Sequence, residues 1–93
     1  MRDRYFDDNP NAVFDMHGMN REEVVHELEN FLHTARNDNF EKVRIVTGKG
    51  SNSPDGTPVV RQAAQAFLNQ NGYSYNFAPL FDGGEGALDV YIM

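Results

Sequence analysis

Apolar positions along this 93-residue chain recur with two different periods, and the switches between them mark its elements. Ala12 to Met16 is a short, largely apolar run carrying Phe14, which predicts a first strand. Asn20 follows, with Glu23 three residues later, a capping box of the Asn type that opens a helix. Val24, Val25, Leu28, Phe31, Leu32 and Ala35 then recur at three- and four-residue spacings, one apolar stripe of a helix ending near Arg36. Asn37-Asp38-Asn39 is turn chemistry. Lys42 to Thr47, with Val43, Ile45 and Val46, predicts a second strand. Beyond a polar loop from Ser51 to Gly56, Thr57 is placed to cap a second helix with Pro58 at its first position. Val60, Ala63, Ala64 and Phe67 form its buried stripe, and Gly72 stops it. Tyr73, Tyr75 and Phe77 line one face of a third strand, and Leu88, Val90 and Ile92 one face of a fourth.

The resulting order, β-α-β-α-β-β, is an α/β chain folded as a two-layer sandwich: a four-stranded mixed sheet covered by two helices. A helix links each of the first two strands to its successor, which favours parallel pairing. The last two strands are joined by a loop of roughly ten residues, within reach of an antiparallel return. The length suffices for one compact domain and leaves no room for a second. We expect that domain to span 12–93, behind an acidic tail at 1–11.

Composition narrows the classes. Forty per cent hydrophobic content with seven phenylalanines fits a folded chain, and the absence of cysteine removes disulfide and thiolate-metal chemistry. No apolar run is long enough for a membrane helix, and Met1 to Asn11 has no signal-peptide core, so a cytoplasmic location is expected. The net charge of −6 is unevenly spread. Residues 1–41 hold four basic and ten acidic side chains, and 72–93 hold three acidic and none basic. Between them, Lys42, Arg44, Lys49 and Arg61 face Asp55 alone. A phosphate can be held locally in such surroundings, while tight nonspecific binding of long duplexes is disfavoured.

Three glycine-centred turns carry the candidate chemistry: Asp15-Met16-His17-Gly18, Thr47-Gly48-Lys49-Gly50 and Gly83-Gly84-Glu85-Gly86. An imidazole can take a proton from a nucleophile or give one to a leaving oxygen near neutral pH, and Asp15 is spaced to orient His17 or to hold a divalent metal such as magnesium. Gly48 and Gly50 let backbone N–H groups approach an anion, with Lys49 as a point charge and Arg44 and Arg61 nearby in sequence. Gly18, Gly83, Gly84 and Gly86 read as structural turn residues. His26 and His33 fall opposite the apolar stripe of the first helix and are expected to be exposed. The third-strand aromatics are of a type that stacks on bases, but their regular alternation marks them first as core.

Phe14-Asp15-Met16-His17-Gly18 resembles the Leu-Asp-x-His-Gly motif that opens the Smr (small MutS-related) domain, with phenylalanine at the usual leucine. Thr47-Gly48-Lys49-Gly50 is similar to that family's Thr/His-Gly-x-Gly motif, and Ser51 to Gly56 to its Ser/Gly-rich loop. Val60-Arg61 stands where the family often has Leu-Arg, and Gly83-Gly84-Glu85-Gly86-Ala87 resembles its last Gly-Gly-x-Gly-Ala turn. The resemblance spans about 12–93. It implies a fold similar to the C-terminal domain of bacterial translation initiation factor 3, nucleic-acid binding and, in several members, endonuclease activity. Some members nick DNA, and others cleave RNA, including messenger RNA on stalled ribosomes. Carried over, Asp15 and His17 would serve cleavage, and Thr47, Gly48, Lys49 and Gly50 substrate binding. The expected protein is a cytoplasmic monomeric Smr endonuclease acting on structured or branched RNA or DNA, with the ribosome as a candidate partner; the alternative is a noncatalytic nucleic-acid-binding module.

Overall fold

The computed structural model describes residues 9–48, 59–79 and 84–92. Its elements follow the expected order: β1 (Ala12–Asp15), α1 (Arg21–Asn37), β2 (Lys42–Val46), α2 (Val59–Gln70), β3 (Ser74–Phe77), a single 3-10 turn (Gly84–Gly86) and β4 (Ala87–Tyr91). The four strands form one mixed sheet in the order β1-β2-β4-β3. β1 runs parallel to β2, and β4 runs antiparallel to both β2 and β3. The second crossover therefore does not end beside β2, as sequence adjacency suggested. β4 lies between β2 and β3, because the return from β3 satisfies both of their inner edges at once.

Local chemistry explains the helix limits. The Asn20 side chain accepts from the Glu23 backbone N–H at 2.8 Å, and the Glu23 carboxylate accepts from the Asn20 N–H at 2.9 Å. Two orphan donors are thus satisfied reciprocally. At the other end Asn39 takes a left-handed φ of 59°, and the Phe40 N–H returns to the Ala35 carbonyl at 2.9 Å. The expected helix cap at Thr57 and Pro58 lies outside the described residues, as do Lys49, Gly50, the loop expected at 51–56 and Gly83.

Cross-strand register sorts the sheet into two faces. Val43 and Ile45 pair with Ala12 and Phe14 on one side and with Val90 and Leu88 on the other. These residues join Val24, Leu28, Leu32 and Ala35 of α1 and Val60, Ala63, Ala64 and Leu68 of α2 in a single core. The stripes differ from expectation at two points. Val25 is 40% exposed, because it falls just outside the arc that α1 buries, and Leu68 rather than Phe67 is the fully buried residue of α2. Phe67 packs at the margin of the core.

The opposite face carries an ion cluster. Asp89 is only 4% exposed although it sits between Leu88 and Val90 on β4. Register places it directly across from Arg44, whose Nε and one terminal nitrogen donate to its two carboxylate oxygens at 2.6 and 3.1 Å. Lys42 Nζ stands 4.0 Å away. A forked guanidinium–carboxylate pair of this kind fixes register as well as satisfying charge. Replacing Asp89 by alanine removes the carboxylate that pairs with the half-buried Arg44 and Lys42, so Asp89→Ala is expected to cost about 3 kcal/mol in urea unfolding. Asp89→Asn, which keeps an acceptor for Arg44, is expected to cost clearly less.

Candidate functional site

The first turn is built by β1 ending at Asp15. The Met16 N–H still donates to the Val46 carbonyl at 2.7 Å, and the chain then bends so that Met19 N–H reaches the Met16 carbonyl at 3.2 Å. Met16 is fully buried and anchors the turn, while His17 and Gly18 stand out into solvent. Asp15 and His17 do meet, though not as neighbours on one strand face. One Asp15 carboxylate oxygen accepts from both the His17 backbone N–H, at 3.1 Å, and the ring Nδ1, at 2.6 Å. The backbone bond is an Asx-type turn, and the ring bond closes it a second time.

These contacts hold the Asp15 carboxyl below its ordinary value of 3.8, the side-chain bond to His17 contributing most, then the backbone bond. An ionised carboxylate only accepts, so Nδ1 carries the proton and Nε2 is the nitrogen available for chemistry. Both side chains are more than half exposed, so the pair adds little to stability.

The second turn lies against the first. Gly48 has φ of +77°, and a Cβ placed on it would stand 3.4 Å from the His17 Cβ. The third turn closes the group: the Gly86 carbonyl accepts from the Thr47 and Gly48 N–H groups at 2.8 and 3.0 Å and from the Thr47 hydroxyl at 3.3 Å. All three glycine turns thus gather at one end of the sheet. Gly86, read from sequence as structural, supplies the acceptor that ties the second turn down.

The other sequence candidates divide. Arg44, expected from sequence to contact substrate, sits two residues before the end of β2 with its guanidinium held by Asp89. Arg61, in the first turns of the described α2, places its guanidinium 5.8 Å from the centre of the Phe77 ring. His26 and His33 are exposed, as expected. Among the described residues no three His, Asp, Glu or Cys side chains cluster as a metal site, and no helix is long and apolar enough to cross a membrane. Sequence reasoning missed the exposure of Phe77, for which alternation gave no signal.

A two-layer sheet-and-helix domain that gathers an aspartate–histidine pair and glycine turns at one sheet end is a recognisable class, and comparison places it. The Smr domain profile matches residues 14–93, and the chain belongs to that family. It is 35% identical over 86 residues to "Endonuclease MutS2" of Carboxydothermus hydrogenoformans, covering 90% of this chain and 10% of the relative. With the protein of the same name from Latilactobacillus sakei it shares 35% over 81 residues, 85% of this chain and 10% of the relative. The chain thus spans about a tenth of the length of these curated relatives. The crystal structure of the Smr domain of Thermus thermophilus MutS2 superposes with a TM-score of 0.75 at 28% identity, covering 86% of this chain and 95% of that one. The human small-MutS related domain has a TM-score of 0.69 at 19% identity over 86% and 99% of the two chains, a likeness of fold.

Two outcomes test the geometry. In a carboxyl-carbon NMR titration, Asp15 is expected to ionise below 3.8, and His17→Ala to move it up toward that value. The sign follows: a lowered folded-state pKa gives stability that is present above the unfolded value and lost as pH falls through the folded one. Gly18→Ala and Gly48→Ala both force a side chain into the left-handed region, costing about 1–2 kcal/mol each. Gly48→Ala, although 31 residues from His17 in sequence, places a methyl 3.4 Å from the His17 Cβ, so it is expected to shift the His17 ring resonances.

Proposed function

We propose that this chain is an Smr-type endonuclease, with Asp15 and His17 as its catalytic residues and the Thr47–Gly50 turn as its phosphate-binding element. The observation that carries the reading is the adjacency of the paired imidazole and the glycine turn, with His17 Cβ in contact range of the Gly48 position. The Thr47 and Gly48 N–H groups are given to Gly86, so a phosphodiester lying against the second turn would draw on Lys49 and the turn beyond Gly48, with Nε2 of His17 close to its reacting oxygens. Thr47 shapes that turn from below, and Arg61 adds positive charge at the start of α2.

On RNA, the ribose 2′-oxygen attacks the adjacent phosphorus as His17 takes its proton, the bond to the 5′-oxygen breaks, and that oxygen is protonated by the imidazolium or by water as it leaves. Asp15 stabilises the imidazolium formed and keeps the ring oriented. On DNA a water must attack instead. A divalent cation would then rest on Asp15, the one carboxylate at this turn among the described residues, and would supply Lewis-acid polarisation of the phosphate. Magnesium, which keeps most of its waters and takes only one or two carboxylates, suits such a thin ligand set. The relatives are named endonucleases, which agrees with the reading. We place the protein in the cytoplasm as a monomer, with structured RNA, including ribosome-bound RNA, or branched DNA as its substrate. On this reading the domain is 12–93, and 1–11 is an acidic tail.

Cleavage of structured RNA and nicking of supercoiled DNA by wild type, Asp15→Ala and His17→Ala test it. His17→Ala is expected to lower kcat by about 10²–10⁴-fold with binding retained. Lys49→Ala is expected to weaken binding across sequences and reduce the salt slope by about one. Equal cleavage by all three catalytic-site proteins sinks the endonuclease assignment, and salt-dependent binding without any cleavage leaves a noncatalytic binding module.

A further inference from the structure

Phe77 does not behave as a core aromatic. Register puts it on the helix-covered face, opposite Leu88, yet 48% of its surface is exposed. The cause is position: it is the last residue of β3, an edge strand, and α2 offers it Arg61 rather than an apolar side chain. The guanidinium lies 5.8 Å from the ring centre, near the outer limit of a cation–π contact. Tyr75, two residues earlier, differs in both respects: it is more covered, and its hydroxyl donates to Asn69 at 3.1 Å. Burying an aromatic that size is favourable, so core packing alone does not account for a ring left half open.

Its location gives the exposed ring a use. Phe77, Leu88, Ile45 and Phe14 form one row across the sheet, and the next residues outward include Asp15 and Val46. The Ala78 N–H continues the ladder to the Ala87 carbonyl at 3.0 Å, at the level where β2 gives way to the second turn. Phe77 therefore stands at the same end of the sheet as the three glycine turns. Three strand spacings separate its strand from β1, about 14 Å, which a stacked single strand rising about 3.4 Å per nucleotide covers in about four nucleotides.

We propose that Phe77 and Arg61 form a base-stacking subsite for a single-stranded stretch of the nucleic acid whose phosphate is cut at His17. This rests on the endonuclease reading above and adds the strandedness of the substrate. Aromatic rings hold unpaired bases in sequence-tolerant fashion, and a guanidinium beside the ring adds a flat cation suited to the base and its phosphate. A base inside a duplex is already stacked and cannot reach the ring, so the subsite selects a loop, a flap or a strand end beside the scissile bond. Phe77 is a binding residue on this assignment and takes no part in bond breaking.

The chain contains no tryptophan, so Phe77→Trp installs a single reporter where the base is expected. The probe is a short single-stranded RNA made uncleavable by 2′-O-methylation, with binding followed independently by anisotropy. Saturating quenching of the tryptophan is expected, lost when an abasic unit occupies one position about four nucleotides from the scissile phosphate. With cleavable RNA, Phe77→Leu is expected to raise KM about tenfold with kcat nearly unchanged, and Phe77→Tyr to restore it. RNA that binds without quenching, or Phe77→Leu with wild-type KM, overturns the subsite alone. Quenching without cleavage keeps the subsite and defeats the endonuclease reading, and absence of RNA binding defeats both.

Discussion

The arrangement depends on two backbone carbonyls at the end of the central strands. Val46 accepts the Met16 N–H, which fixes where β1 ends relative to β2, and Gly86 accepts from Thr47 and Gly48, which fixes where β2 ends relative to β4. Each bond is ordinary in strength, about 1 kcal/mol net. Their effect is geometric: turns separated by some thirty to forty residues in sequence are brought to one edge by backbone bonds, with the Thr47 hydroxyl adding a side-chain link to Gly86. Parallel pairing is what makes this work. Two parallel strands leave the sheet at the same end, so the turn after β1 and the turn after β2 become neighbours, and an antiparallel β4 necessarily enters there.

Within that frame the aspartate–histidine pair is a local device. Asp15 and His17 are two residues apart and joined twice, once through the backbone, so little loop-closure entropy is lost in forming the contact. It can form wherever the turn forms. What tertiary structure adds is the glycine turn beside it, and the two demands are kept separate: the exposed pair sits above Met16, whose side chain is wholly buried. A substitution in the pair therefore touches no core packing, so on the proposed reading it changes chemistry with little cost to stability.

Most of the architecture was legible in the sequence because its signals are short-range. The Asn20–Glu23 box, the stripe ending at Ala35 and the turn at Asn39 each depend on residues within one or two helical turns, and each appears as expected. The identity of the glycine turns was equally plain. What escaped were facts set by partners far along the chain. Arg44 lies near Lys49 in sequence, but its partner Asp89 is 45 residues away and only strand register reveals the pair. The same holds for β4 entering between β2 and β3, since alternation says that a strand is half-buried and not which neighbour it takes. Phe77 failed for a related reason: alternation predicts the face a residue shares, while exposure on that face depends on whether the strand is an edge.

On the proposed reading, an acidic protein that holds a polyanion faces a constraint that these features would resolve together. At physiological salt the Debye length is about 8 Å, so the repulsion of −6 net charge is screened over distances comparable to the domain itself, while contacts at the site are not. Attraction must then be short-range. Asp89 takes up the charge of Arg44 within the sheet, so little long-range positive field projects from that strand to draw in duplex backbone. Hydrogen bonds from a glycine turn and stacking on an aromatic edge operate only at contact, and the second needs no charge at all. On the proposed reading, the scarcity of cations is therefore part of the selectivity: a rigid duplex offers this surface phosphates but no free base face, and only a locally unpaired strand satisfies both parts of the site.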